Sequence, residues 1–234
     1  MSWVAGVDGC KHGWFAVFFE PEKIQHHADR FDTLRDVVDA RYEPVVLAVD
    51  IPIGLLKNAE KGGRECDRIA RRLLRQPRAS SVFSPPVWTA LPYETNYRAA
   101  LRANRASSPL RVGIPKQCHA LFPKIREANA LPSNELNKRI FEVHPELCFY
   151  EINDGKALRH SKKAKNGVGI EERCKVLRRT IFRNLLSEIL AERPPGVSKD
   201  DALDAIAACW SAIRIQAIPR QSIPTNEKPP TIWR

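Results

Sequence analysis

The run Val-Val-Leu-Ala-Val at residues 45–49, closed by Asp50 and bracketed by Pro44 and Pro52, admits few folds. It offers water no polar position and reads as a strand covered on both faces, which needs helices on either side of a sheet. Residues 3–8 and 14–19 read as two strands joined through a turn that holds Gly9 and Gly13, and residues 23–30 as a third, so the chain opens as an antiparallel meander. Residues 31–41 carry Leu34, Val37 and Val38 at helical spacing, with Asp32 or Thr33 as the cap. Three strands, a helix and a buried strand make an α/β opening, with the fourth strand expected parallel to the first. Further helices are expected over 65–75, 93–105, 116–130, 168–191 and 199–215, and a strand over 139–143. Residues 1–216 are expected to form one domain with a helical insertion at about 60–135. The tail, 217–234, holds Pro219, Pro224, Pro229 and Pro230 and is expected to be extended or disordered.

Charge narrows the partners. The 234 residues hold 38 Lys and Arg against 27 Asp and Glu, a net +11, and a basic chain attracts phosphate backbones whatever their sequence. The excess is local. Residues 1–60 carry 6 basic and 10 acidic side chains, residues 61–130 carry 14 and 4, and 11 of those 14 are arginine, whose planar fork suits phosphate oxygens. Arg64, Arg68, Arg71 and Arg75 follow helical spacing and are expected to contact nucleic acid from one face, with Lys162 and Lys163 as a second contact. Solvated salt-bridged surface is the competing reading of both sets.

The six cysteines include no CxxC pair, and Cys10 with His12 or Cys118 with His119 is too isolated for zinc, so reduced, packed thiols are expected. The amino terminus lacks a basic segment followed by an apolar one, and no apolar stretch approaches the ~20 residues that span a bilayer. The chain is therefore expected in the cytoplasm with no membrane partner. Its sequence carries no signal for a homo-oligomer.

The carboxylates suggest chemistry. Asp8 ends the first strand and Asp50 the fourth, so if those strands are neighbours both acids leave the edge where ligands of open α/β sheets sit. Turn formation is the alternative for each. Asp201 and Asp204 share a face of the last helix. Ser198 with Asp201 resembles a capping box, which leaves Asp204 a turn deeper among Leu203, Ala205, Ile206 and Ala207 and in need of a partner. A divalent metal held jointly with Asp8 and Asp50 is one. Glu142, in the 139–143 strand, is a candidate ligand or a buried ion-pair member. Pro145 suits the first turn of a helix and Glu146 its dipole, while His144 either caps that helix or positions a water.

An acid on the first strand of a meander, an acid ending the fourth strand and acids on the closing helix resemble the ribonuclease-H-like superfamily, and Asp201-Ala-Leu-Asp-Ala205 resembles the final helix of RuvC-type junction resolvases. Over residues 3–215 the chain more closely resembles a family described as predicted ribonuclease-H-like nucleases. The matching stretches, in order, are Gly6-Val-Asp-Gly-Cys10, Val49-Asp-Ile-Pro-Ile-Gly54, Cys66-Asp-Arg-Ile-Ala-Arg71, Ser80-Ser-Val-Phe83, Pro123-Lys-Ile-Arg-Glu127, Glu142-Val-His-Pro-Glu146 and Asp200-Asp-Ala-Leu-Asp204. The resemblance implies a mixed five-stranded α/β sheet flanked by helices, with the basic helical insertion between strands four and five. It implies a metal site at Asp8, Asp50, Asp201 and Asp204, with Glu142 as an addition, and two Mg²⁺ or Mn²⁺ ions that hydrolyse phosphodiester bonds of DNA or RNA. The stretch from Gly113 to Lys116 departs from the family, which has a small polar residue before the position of Gln117.

Two other classes compete. One is a non-catalytic nucleic-acid-binding or scaffold protein on the same fold. The other is an ATP-dependent phosphotransferase, to whose first phosphate loop Asp8-Gly9 with Gly13 is similar, although no second glycine-rich loop follows.

Overall fold

Residues 2–132, 139–217, 222–224 and 231–233 are described by a computed structural model of the protein. Strands β1 (Val4–Cys10), β2 (Gly13–Glu20) and β3 (Gln25–Phe31) form the meander, and α1 (Leu34–Val38) leads into β4 (Val46–Val49). The segment that follows carries α2 (Glu65–Arg78), α3 (Tyr97–Ala106), α4 (Lys116–His119) and α5 (Phe122–Asn129) before β5 (Ile140–Glu142). Helices α6 (Pro145–Ile152), α7 (Val168–Leu177), α8 (Leu186–Glu192) and α9 (Lys199–Ala217) come next, then β6 (Ser222–Ile223) and β7 (Ile232–Trp233).

The main sheet is mixed and five-stranded, in the order β3-β2-β1-β4-β5. β1 and β2 are antiparallel, as are β2 and β3, whereas β1 with β4 and β4 with β5 are parallel. Side chains of a strand alternate between faces, and the sheet is covered on both. Val4, Val46, Ala48 and Phe141 pack under α6, α7, α8 and α9. Ala5, Val7, Leu47, Val49 and Ile140 pack under α1 and the apolar sides of α3, α4 and α5.

Helix boundaries depart from the periodicity where local chemistry intervenes. α1 starts at Leu34 and not at residue 31 because Thr33 and Asp36 close a capping box there. The helix expected over 116–130 breaks in two ahead of Phe122, where Pro123 suits a new first turn and not a helix interior. Asn96 caps α3, which therefore starts four residues later than the apolar spacing predicts. The stretch 168–191 is also not one helix: the Thr180 hydroxyl accepts from Phe182 N at 3.2 Å and caps a separate 3₁₀ turn, Ile181–Arg183, before α8.

The carboxy-terminal tail is docked where it is described. β6 pairs with β7, Trp233 forms a parallel bridge with Val143, and its ring meets Phe141 edge-on at 5.1 Å. Ile223, Ile232 and Trp233 are buried, and their apolar surface repays the ordering that proline content alone argues against. Pro219, Pro229 and Pro230 lie outside the described residues. No helix among the described residues is long and apolar enough to cross a membrane.

Candidate metal centre

Register places the first two acids together. Val7 pairs with Val49, and Asp50 N continues the ladder to Val7 O at 2.9 Å, so Asp8 and Asp50 are the next residues on neighbouring parallel strands. Alternation turns both toward the α9 face. Asp8 is buried and accepts a hydrogen bond from Gly9 N at 2.8 Å.

Gly6 brings in the third. A Cβ there would lie 1.9 Å from Cys209 N and 2.2 Å from Ala205 O, so only glycine lets the backbone of α9 rest on β1. That contact sets Asp204, 3% exposed, over the end of the strand that carries Asp8. Lys162 reaches in from the loop before α7 and donates from Nζ to Asp204 Oδ2 at 2.6 Å.

The four aspartates expected as ligands, and Glu142 as an addition to them, are not equivalent. Asp201 is half-buried and accepts from Ser198 N at 2.9 Å while its own N–H donates to Ser198 Oγ at 3.1 Å, so it is engaged in a capping box. Glu142 is on the wrong face. It pairs in register with Val49, so its side chain leaves the sheet opposite to that of Asp50. There Arg64, 2% exposed, donates to it from Nη1 at 2.7 Å and Nη2 at 2.5 Å, and Ile53 N adds a bond of 2.7 Å. The same guanidinium donates to Asp67 Oδ1 at 2.7 Å. Burial works against the charge on Arg64, and Glu142 with Asp67 more than offsets it. Glu142 is thus the buried ion-pair member of its two readings and not a ligand, and Arg64, expected as a nucleic-acid contact, is its partner in a buried cluster that holds the loop after β4. Glu142→Gln should cost about 2 kcal/mol in a urea melt, as the loss of a charged hydrogen bond does, and leave divalent-ion affinity unchanged.

The arginine row fails for a backbone reason. Arg64 is the extended N-cap of α2 and not part of the helix, while Arg75 leaves it at φ 53° ahead of Gln76 and Pro77. Arg71 donates to Val82 O at 2.8 Å and to Gly62 O; Arg68 pairs with Glu60 at 2.8 Å and donates to Gly63 O. These two fasten loops, and Arg75 alone of the four is exposed. Lys163 is also exposed.

Three residues without an expected ligand role lie toward this end of the sheet. His144 caps α6, its Nδ1 accepting from Glu146 N at 3.2 Å, and this brings Glu146 toward the centre. Glu146 is buried, pairs with the fully buried Arg173 and keeps Oε2 without a partner among the described residues. Lys124 stacks its Nζ 4.7 Å from the Trp14 ring centroid and presses on Gly9, where a Cβ would stand 2.8 Å from Lys124 Cδ. Its stretch, Pro123 to Glu127, carried the family resemblance without a role for the lysine.

Burial, followed by the charges of Asp50 and Asp204, holds the Asp8 carboxyl well above the ordinary range, against the pull of Lys162. Burial likewise raises Asp50 to about 6, opposed by His144 and assisted by Asp204, and raises Asp204 although Lys162 pulls it down. An acid whose folded pKa exceeds its unfolded one favours folding at low pH, and that contribution is lost as pH rises through the folded value. Asp50→Asn should therefore melt above the wild type at pH 7, in the absence of divalent ions, and the gap should close between pH 6 and 4. A gap independent of pH would contradict the assignment.

Among the described residues, one set of three ligand atoms lies within 4.8 Å of one another: those of His26, Glu188 and Glu192. It is not at this centre. His26 pairs with Phe19, which pairs with Val4, so it sits at the opposite end of the sheet from Asp8. The oxygens of Asp8, Asp50 and Asp204 are spaced more widely, with the Lys162 ammonium beside them.

No curated protein and no solved structure matches the chain. One family does, over residues 6–228, which takes in most of β1 and every element from β2 to β6. The chain belongs to that family, whose description reads "Protein of unknown function (DUF429)".

Proposed function

We propose that the protein is a divalent-cation-dependent nuclease on a ribonuclease-H-like fold, hydrolysing phosphodiester bonds of DNA or RNA in the cytoplasm. The observation that carries the reading is the convergence of Asp8, Asp50 and Asp204, from three elements distant in sequence, on one face of one sheet edge. Buried carboxylates that raise one another's pKa oppose folding, and an arrangement with that cost is expected where a cation is to be held. The donors are oxygens, which fit Mg²⁺ or Mn²⁺ and not a soft-ligand metal. The meander followed by two parallel strands, with a long helix laid over β1, supports the ribonuclease-H-like assignment as an analogy of fold.

Asp8, Asp50 and Asp204 would hold the cation, with the open oxygen of Glu146 within their field and Asp201 at the margin. When bound, a divalent ion polarises a phosphoryl oxygen and lowers the pKa of a coordinated water. Lys162, beside Asp204, brings an ammonium group to the same face, where phosphate oxygens would be met, whereas Lys124 lies across β1 on the Trp14 face with its Nζ on Gly13 O. The exposed Arg75 and Lys163 remain as outer contacts for a polyanion.

The test is a panel of labelled branched, hybrid and single-stranded substrates with Mg²⁺ or Mn²⁺. Metal-dependent cleavage of any of them supports the proposal. Binding with no cleavage across the panel would leave a nucleic-acid-binding scaffold, and ATP hydrolysis indifferent to nucleic acid would leave a phosphotransferase.

A further inference from the structure

We propose that Lys162 is a built-in cation of the carboxylate centre, filling one cation position so that the centre takes one divalent ion and not two. The proposal rests on the metal-dependent reading above and concerns the number of ions.

The loop that delivers Lys162 is fixed at several points. Both carboxylate oxygens of Glu172 accept from it, from Arg159 N at 3.0 Å and His160 N at 2.9 Å. Arg173, fully buried, donates from Nη1 to His160 O at 3.3 Å. A Cβ on Gly169 would stand 1.9 Å from Ser161 O and 3.2 Å from Lys162 Cα, so the start of α7 is cut back to seat this loop. Ala164 N closes the turn onto Ser161 O at 2.9 Å. A surface lysine gives up rotamer freedom when it is held. This one is aimed by a braced backbone, with a stem 40% exposed and an ammonium on a carboxylate that is 4% exposed.

Charge sets the count. Glu146 is balanced by Arg173, and Asp201 is half-buried in the first turn of α9, where the helix dipole and the cap favour its charge. The centre then holds three carboxylates, the buried Asp8 and Asp204 and the half-buried Asp50, and one ammonium, a net of two negative charges. One divalent ion neutralises that. The pair of ions implied by the resemblance would leave two positive charges in a buried site, with an ammonium pressed against a second cation at a separation where like charges repel by several kcal/mol in a medium of effective dielectric ~20. Lys162 thus does with a fixed side chain what a second ion would do: it neutralises Asp204 and offers positive charge to an arriving phosphate.

Mn²⁺ titration of the full chain, with free Mn²⁺ followed by electron paramagnetic resonance, counts the ions without reference to activity. All proteins carry His26→Ala so that the His26, Glu188 and Glu192 set adds nothing. The otherwise wild-type chain should bind one ion, Lys162→Met, which keeps the stem and loses the charge, should bind two, and Lys162→Arg should bind one. Two ions with Lys162 in place, or only one in Lys162→Met, would overturn the proposal and leave the metal reading standing. No ion in any of the three would defeat both.

Discussion

Asp8→Asn is expected to abolish divalent-dependent cleavage and, in the same protein, to raise its thermal stability without divalent ions. The activity loss follows from removing the acid that faces both Asp50 and Asp204. A polarising ion contributes several kcal/mol to the transition state, so losing its hold should cost at least about a thousandfold in rate, or about 4 kcal/mol. The stability gain follows from burial. Asp8 is enclosed among other carboxylates, and its ionised form is opposed first by desolvation and then by their charge. The amide keeps the shape and drops the charge. About 1 kcal/mol of relief would raise the melting temperature by roughly 2–4 °C for a chain of this size. Unaltered cleavage, or a lower melting temperature without divalent ions, would each contradict the account, because sites built for function are where residues are held against stability.

Gly6→Ala is expected to be the most destabilising single methyl in the protein. The added carbon would stand 1.9 Å from Cys209 N and 2.2 Å from Ala205 O, and both neighbours are backbone of α9, which lies on the central strand of the sheet. No side chain can swing aside. Relief requires α9 to lift from β1, exposing Ala205, Ile206 and Cys209, all at 0% exposure. Overpacking costs typically ~1–3 kcal/mol where side chains yield, so about 3 kcal/mol or more is expected here in a urea melt. Asp204 rides on the same helix, so ion affinity should fall with stability. Gly113→Ala is the control. Its nearest neighbour would be Leu101 Cδ1 at 3.9 Å, an ordinary contact, and its effect should stay within about 0.5 kcal/mol. Equal effects at the two glycines would show that the docking of α9 does not depend on Gly6.

The meander, the doubly covered β4 and the parallel pairing with β1 were legible in the sequence because apolar alternation and an all-apolar run report directly on covered faces. The pairing of Asp8 with Asp50 followed from that topology alone. Gly6 also carried a signal, since a lone glycine inside a strand marks close backbone approach, and it is what draws Asp204 in. For Glu142 the ion-pair alternative is the one the structure bears out, although the face it takes was not legible. Ile140, Phe141 and Val143 around it are all apolar, so nothing in the pattern of a strand buried on both sides tells which face an odd polar residue takes. The shared face of the arginine row depends on the ends of a helix, the least determined part of any helix in sequence: with Arg64 an extended cap and Arg75 turned out before Pro77, that face disappears. Lys162 was placed among phosphate contacts by its charge. Its bond to Asp204 depends on how Gly169 and Glu172 seat a loop some forty residues away in sequence, which no local pattern records.

The central claim is that Asp8, Asp50 and Asp204 form a cation site. Anomalous diffraction from crystals grown in Mn²⁺ tests it most directly, because it locates the ion without any assumption about substrate. The account predicts a manganese peak at the carboxyl edge of the sheet, bound by oxygens of these three residues. Crystals saturated with Mn²⁺ that show no peak there, with the three carboxylates still apart and Lys162 still on Asp204, would contradict it.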